Sequence, residues 1–128
     1  MLHGYKNELL QALMNIVSNA KDALSKLDKQ PHKCIVFEVS QTKNKIKILI
    51  KDNAGGIDES IISKVFEPYF TTKHQSQGTG IGLYMTHIII NNMQGHIKVE
   101  NVQFEYKKES YQGACFIIEL PKEMKKKP

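Results

Sequence analysis

Apolar side chains recur at steps of three and four residues over residues 5–27, the spacing that places them on one face of an α-helix. This stripe consists of Leu9, Leu13, Ile16, Val17, Ala20, Leu24 and Leu27. A second apolar stretch predicts a long helix over residues 81–93, closed at its C-terminal end by Gly95. Between them, "DESIISKVF" (58–66) predicts a short helix with Asp58 as its N-cap.

Alternating apolar and polar residues predict four strands. Residues 34–41 and 46–52 alternate in this way, and "TKNK" between them suits a hairpin turn. "HIKVENV" (96–102) and "ACFIIELP" (114–121) predict the other two strands. Residues 68–80 are polar, contain glycine and show no period, which predicts a loop. Strands with one apolar face, combined with helices, predict a two-layer α/β sandwich whose sheet carries helices on one side only.

Length and composition agree with one globular domain over residues 1–128, with flexible ends at 1–4 and 122–128. Hydrophobic residues make up 41% of the chain and charged residues 24%, which is ordinary for such a domain. No apolar run has the length of a membrane span. Cys34 and Cys115 lie in apolar runs without metal-ligand spacing, which predicts buried free thiols in a reducing cytoplasm.

The net charge of +5 raises the question of nucleic-acid binding. Much of the excess comes from "KEMKKKP" at the C-terminus, a sequence typical of a solvated tail or linker. The other lysines are scattered and are not interleaved with aromatic residues in a stacking pattern. We therefore predict no nucleic-acid partner, although a basic binding module without a nucleotide remains an alternative.

A cluster of glycines opens the second long helix, where exposed backbone N–H groups and the helix dipole favour a phosphate. Gly78, Gly80 and Gly82 read G-x-G-x-G, which differs from the Rossmann fingerprint, and no Walker loop is present. By itself the cluster is a weak signal, since a mobile loop that caps a core helix has the same composition.

Polar residues at two other places add to this signal. The face of the first helix opposite its apolar stripe carries Glu8, Gln11, Asn15, Asn19, Asp22 and Lys26. Asp52 ends a predicted strand and precedes Gly55 and Gly56, where a flat ligand can approach the backbone closely. A solvated helix face and a turn-forming aspartate are the alternatives for these two features.

Four motifs in this order resemble the ATP-binding catalytic domain of bacterial sensor histidine kinases, in the wider group that includes gyrase and MutL. The N box matches "QALMNIVSNAKDAL", the first glycine box "DNAGGI", the F box "FEPYFTTK" and the second glycine box "GTGIGL". The resemblance covers essentially the whole chain. It implies the Bergerat-type ATP-binding fold, with a mixed, mostly antiparallel sheet and helices on one face.

The resemblance also implies a role for individual residues. Asp52 would accept a hydrogen bond from the exocyclic amine of adenine, and guanine has a carbonyl there. Asn19 would give its amide oxygen to Mg²⁺, and Asn15 and Asp22 would orient the phosphates, the metal-bound water or the ring. Asn15 and Asn19 are thus the candidate catalytic residues. The other candidate nucleotide-binding residues are Gly56, Ile57, Phe66, Thr72, Lys73, Gly78, Thr79, Gly80, Ile81, Gly82 and Leu83.

The function implied is transfer of the γ-phosphate of Mg·ATP to a histidine on a separate, dimeric helical domain. A response regulator would be an indirect partner, and the isolated domain would be a monomer. The location implied is the cytoplasm, whether or not the parent protein is anchored in a membrane. Two departures stand out: Ala54 replaces a usual glycine of the first glycine box, and the phosphoacceptor helix is absent. His87 is interpreted as a surface or core residue rather than an acceptor. An ATP-hydrolysing clamp and an anti-sigma-factor serine kinase are the alternatives of the same fold.

Overall fold

The computed structural model describes residues 6–25, 33–68 and 82–122. Most of the predicted helices and strands are confirmed, with bounds that differ by a few residues. The elements are helix α1 (Lys6–Ser25), strands β1 (Ile35–Gln41) and β2 (Lys45–Asp52), a 3-10 helix (Ile62–Lys64), helix α2 (Gly82–Asn92), and strands β3 (His96–Tyr106) and β4 (Glu109–Pro121).

The strands form one sheet in the order β1-β2-β4-β3, and every pairing between the described strands is antiparallel. Both helices contribute to a single core with one face of this sheet, and they pack against each other. The buried core residues are Ala12, Ile16, Ile48, Ile50, Ile90, Met93, Ala114, Phe116, Ile118 and Leu120. The predicted two-layer α/β sandwich is therefore confirmed.

The prediction of a short helix over residues 58–66 is only partly right. This segment holds a 3-10 helix of three residues, Ile62–Lys64, preceded by a turn in which the Asp58 carbonyl accepts from the Ile61 and Ile62 N–H groups. Asp58 caps that turn instead of an α-helix, because its Oδ1 accepts from the Ser60 N–H at 2.9 Å and hydroxyl at 2.8 Å. These bonds lower the pKa of the Asp58 carboxyl. The high cost of a helix nucleus in so short a segment explains why no longer helix forms.

Helix α2 ends in a Schellman arrangement, and the left-handed residue is Gln94 (φ 62°), not Gly95. The Gly95 N–H donates to the Ile90 carbonyl at 3.0 Å, and the Gln94 N–H to the Asn91 carbonyl at 3.0 Å. Gly95 is needed for space, since a Cβ at this buried position would collide with the Glu119 carbonyl oxygen of β4. The predicted end of the helix is confirmed, for a different physical reason.

The β3–β4 hairpin is much longer than the sequence pattern indicates. Its last five residue pairs, from Val102–Gly113 to Tyr106–Glu109, extend beyond the end of β2, whose last partner on β4 is Cys115. Lys107 (φ 51°) and Lys108 (φ 68°) form the turn, both left-handed as a type I′ turn requires. Lysine is unusual at both positions, so the sequence contains no ordinary hairpin signal here.

Replacing Lys108 by glycine is expected to stabilise the protein by about 0.5 to 1 kcal/mol, because glycine adopts a positive φ without the steric cost that an L side chain incurs. Chemical denaturation of the variant measures this change. Lys43→Gly is the control, since Lys43 lies in the β1–β2 turn and is not left-handed. A loss of stability in Lys108→Gly equal to that in Lys43→Gly would contradict the assignment of strain to the turn.

Candidate functional site

The carboxyl group of Asp52 is held at the end of β2, with 5% of the residue exposed. Its Oδ1 accepts from the Ala54 N–H at 3.0 Å and from the Ala114 N–H at 3.4 Å, and both bonds from the described residues end on this one oxygen. Burial raises the pKa of the Asp52 carboxyl, while the two backbone N–H groups lower it in part. Asp52 is thus a buried acceptor of fixed orientation at the C-terminal end of an inner strand of the sheet.

The two glycines after Asp52 give the loop a conformation that other residues rarely adopt. Gly55 and Gly56 both have a φ of 96°. The Gly55 N–H donates to the Gln112 carbonyl at 3.1 Å, which ties the loop to β4. A Cβ on Gly56 would lie only 2.8 Å from Asn101 Oδ1. The loop therefore runs close to the β3–β4 hairpin, which leaves no room for a side chain at Gly56.

Gly113 is a residue of this site that the sequence analysis missed. It pairs with Val102 in the hairpin, and a Cβ at Gly113 would collide with the backbone carbonyl of Asp52. An isolated glycine within a strand marks a close backbone approach, and this signal was available in "YQGACF". The predicted strand begins at Ala114, so Gly113 lies outside it.

Two asparagines that the sequence analysis did not select also hold the loop. The buried Asn53 accepts through Oδ1 from the Cys34 N–H at 2.9 Å, which joins the loop to the residue before β1. Asn101 on β3 bonds both sides of Ile57: Oδ1 accepts from its N–H at 2.7 Å and Nδ2 donates to its carbonyl at 2.6 Å. No periodic pattern distinguishes these two residues from surface asparagines.

A cavity of about 300 Å³ opens beside this loop. It is lined by Gly55, Asn101, Val102, Gln103, Gln112 and Gly113. One of its lining residues, Gly113, packs directly against the backbone of Asp52, which does not itself line the cavity. The base of the hairpin and the glycine loop thus form one continuous concave surface.

The polar face of α1 meets the start of α2 at the carbonyl of Gly82. Asn15 Nδ2 donates to this oxygen at 3.2 Å, and the buried Thr86 hydroxyl donates to it at 2.9 Å. Gln11 Nε2 in turn donates to Asn15 Oδ1 at 2.9 Å. Asn19 and Asp22 are half-buried one and two turns further along α1. The structure therefore brings the N-box helix together with the last glycine of the second glycine box.

Three predicted site residues pack against the core. Ile57, Phe66 and Leu83 are partly buried hydrophobic residues in contact with it. The Phe66 ring stacks on His87 at 5.7 Å between centroids and meets Phe116 edge-on at 6.1 Å. Through these contacts the F box is attached to both α2 and the sheet. His87 lies half-buried against Phe66, as expected for a residue with a structural role.

The remaining predicted site residues, Thr72, Lys73, Gly78, Thr79, Gly80 and Ile81, lie outside the described residues, as do Tyr69, Phe70 and most of the predicted loop 68–80. Among the residues that the structure describes, no group of three or more His, Cys, Asp or Glu side chains could hold a metal ion. In the same part of the chain, no helix is long and apolar enough to cross a membrane. Cys34 and Cys115 are both free thiols, the first partly and the second fully buried.

Residues 4–124 match the model of the family described as histidine kinase-, DNA gyrase B-, and HSP90-like ATPase. The chain belongs to this family. It is 30% identical over 123 residues to the two-component sensor PprA of Pseudomonas aeruginosa, and 40% identical over 113 residues to the histidine-protein kinase AtoS of Escherichia coli. These alignments cover 94% and 88% of this chain but only 12% and 16% of the relatives, so the chain spans less than a fifth of their length.

The fold is similar to that of the catalytic domain of the histidine kinase ThkA, with a TM-score of 0.69 and 29% identity. That match covers 91% of this chain and 68% of the ThkA chain. The resemblance drawn from the four motifs is therefore confirmed. This chain is an ATP-binding domain of the sensor histidine kinase type, and its sandwich is the fold of that group.

Proposed function

We propose that this chain binds Mg·ATP and donates its γ-phosphate to a histidine on a separate helical phosphoacceptor domain of the parent kinase. The observation that carries the proposal is the buried Asp52 carboxyl beside the Gly55–Gly56 loop. Members of a family that binds ATP need a feature that selects adenine, and the carboxyl group of Asp52 has the chemistry to do so. In such transfer the protein mostly supplies positioning and charge stabilisation.

Asp52 would recognise adenine by accepting a hydrogen bond from its exocyclic amine. Within the described part of the chain, two backbone N–H groups donate to Oδ1, and Oδ2 would accept from a donor on the ligand. Adenine presents an N–H donor at that edge, whereas guanine presents a carbonyl that a carboxylate repels. Because an unmatched buried polar group is costly, this arrangement favours ATP over GTP.

Residues from three motifs would hold the rest of the nucleotide. Asn15 and Asn19 are the proposed catalytic residues. Asn15 and Asp22 would orient the phosphates, the metal-bound water or the adenine ring. The amide oxygen of Asn19 is a hard ligand that suits Mg²⁺, which neutralises phosphate charge when bound. The other proposed nucleotide-binding residues are Gly56, Ile57, Phe66, Thr72, Lys73, Gly78, Thr79, Gly80, Ile81, Gly82 and Leu83.

The nature of residue 15 argues for phosphotransfer and against sustained hydrolysis. In the hydrolysing relatives, a glutamate one turn before the metal-binding asparagine prepares the attacking water. Asn15 occupies that place here, and an amide cannot take a proton from water. Its amide also bridges Gln11 and the Gly82 carbonyl. We therefore propose that an ATP-hydrolysing clamp is the weaker interpretation.

The wider context of the chain is part of the same proposal. We infer that residues 1–128 fold as one domain, monomeric in isolation, and that the phosphoacceptor domain is dimeric. A response regulator would receive the phosphate from the histidine and so be an indirect partner. We place the domain in the cytoplasm, whether or not the parent protein is anchored in a membrane.

Incubation of the chain with Mg²⁺ and γ-labelled ATP tests this function. The chain alone should hydrolyse ATP only at a trace rate and should not label itself. With the phosphoacceptor domain of its parent kinase added in trans, that domain should gain an acid-labile, base-stable phosphohistidine. Sustained hydrolysis by the chain alone, lost in Asn15→Ala, would instead support the clamp-type ATPase.

A further inference from the structure

We infer that Asn101 is a positioning residue for the nucleotide loop, setting the backbone of Gly56 and Ile57 without contacting the nucleotide. This inference rests on the proposed ATP site around Asp52. Asn101 lies on β3, outside all four sequence motifs, and is 44 residues from Ile57 in the chain. Its side chain is nevertheless the main polar contact between the hairpin and the second half of the loop.

The side-chain amide of Asn101 both accepts a hydrogen bond from the backbone of Ile57 and donates one to it. Oδ1 accepts from the Ile57 N–H at 2.7 Å, and Nδ2 donates to the Ile57 carbonyl at 2.6 Å. Nδ2 also donates to Glu59 Oε1 at 3.1 Å. Only a primary amide offers an acceptor and two donors at this spacing. The isosteric aspartate keeps the acceptor but, when ionised, faces the Ile57 carbonyl and the Glu59 carboxylate with negative charge.

The loop needs such a clamp because its own backbone has little to hold it. Gly55 and Gly56 have no side chains and a φ of 96°, and residues 53–58 form no helix or strand. Two connections between described residues of the loop and the hairpin are the Gly55 bond to the Gln112 carbonyl and the Asn101 contacts with Ile57. Without the Asn101 contacts, the loop would keep its attachment near Asp52 but lose its orientation beside the cavity.

The position of Asn101 separates this role from a general contribution to stability. Asn101 is solvent-exposed, and hydrogen bonds at exposed positions add little to the free energy of unfolding. A shift of about 1 Å in a ligand-binding backbone, in contrast, has a large effect on binding and catalysis. Affinity for ATP should therefore change much more than the melting temperature of the free protein.

The test compares Asn101→Asp with wild type by calorimetric titration of Mg·ATP and by thermal unfolding. We expect the affinity for ATP to fall about 10-fold, because the hydrogen bonds from Nδ2 to Ile57 and Glu59 are lost. The melting temperature should stay within about 5 °C of that of wild type. Asn44→Asp is the matched control: the same change on an exposed asparagine of the β1–β2 turn, for which we expect wild-type affinity.

The outcomes separate this inference from the proposed function. If wild type does not bind ATP, the proposed function fails. If wild type binds ATP and Asn101→Asp binds it equally well, or loses affinity only in proportion to a fall in melting temperature, the positioning role is wrong. Should Asn101→Asp not fold, Asn101→Ser, which adds no charge, replaces it with the same expectation of weaker binding in a folded protein.

Discussion

Asp52→Asn is expected to weaken ATP binding by about 100-fold and, at the same time, to stabilise the free domain at neutral pH. The asparagine oxygen must keep the place of Oδ1, because only an oxygen can accept the Ala54 and Ala114 N–H groups. Its NH₂ group then takes the place of Oδ2 and points a donor at the amine donor of adenine. Loss of a charged hydrogen bond together with a buried donor–donor conflict accounts for an effect of this size.

The stability effect follows from the raised pKa of Asp52. A carboxyl whose pKa is higher in the folded than in the unfolded state contributes stability below the unfolded pKa and loses it as pH rises through the folded pKa. At neutral pH the buried charge therefore costs stability, and the neutral amide does not. The advantage of Asp52→Asn over wild type should shrink as pH is lowered through the raised pKa of Asp52.

Asp58→Asn is the control, because hydrogen bonds from Ser60 lower the pKa of Asp58 and its charge is favourable to folding. That variant should lose a little stability at neutral pH and keep its ATP affinity. Calorimetric titration with Mg·ATP and Mg·GTP, and denaturation between pH 4 and 8, measure these effects. Equal affinity of wild type for ATP and GTP would contradict the adenine-reading role of Asp52, and a less stable Asp52→Asn would contradict the cost assigned to its charge.

Gly113→Ala is expected to destabilise the domain by about 3 kcal/mol or more and to remove measurable ATP binding at concentrations that saturate wild type. The added Cβ would overlap the backbone carbonyl of Asp52, which cannot turn aside as a flexible side chain can. Relief requires β4 to separate from the end of β2, and this movement displaces the Ala114 N–H that orients the Asp52 carboxyl.

Urea denaturation and ATP titration of Gly113→Ala measure both parts of this prediction. Gln112→Ala is the matched control on the same strand, since its exposed side chain is removed while the backbone carbonyl that accepts from Gly55 remains. We expect the free energy of unfolding of Gln112→Ala to lie within about 0.5 kcal/mol of that of wild type. A Gly113→Ala variant as stable as Gln112→Ala would show that the contact with Asp52 is not as close as described.

Most elements of this fold could be predicted from local pattern because they bury one regular face. The stripe of α1 and the alternation of β2 put Ile16, Ile48 and Ile50 into the core as expected, whereas Phe37 and Val39 of β1 are exposed. Prediction failed where local pattern does not decide conformation. The segment after Asp58 has the composition of a helix start but forms only a turn and a 3-10 helix, and the Lys107–Lys108 turn has no glycine or asparagine to mark it.

The sequence by itself determined the family of this protein and the candidate groups of its proposed ATP site, since four ordered motifs carry Asn15, Asn19, Asp52 and the glycine boxes. Only the tertiary structure decided how that site is held. Gly113, Asn53 and Asn101 act on the Asp52 loop through contacts across 61, 19 and 44 residues of chain. Close backbone approach and hydrogen bonds between distant segments depend on how strands are brought together, and neither leaves a periodic pattern along the chain.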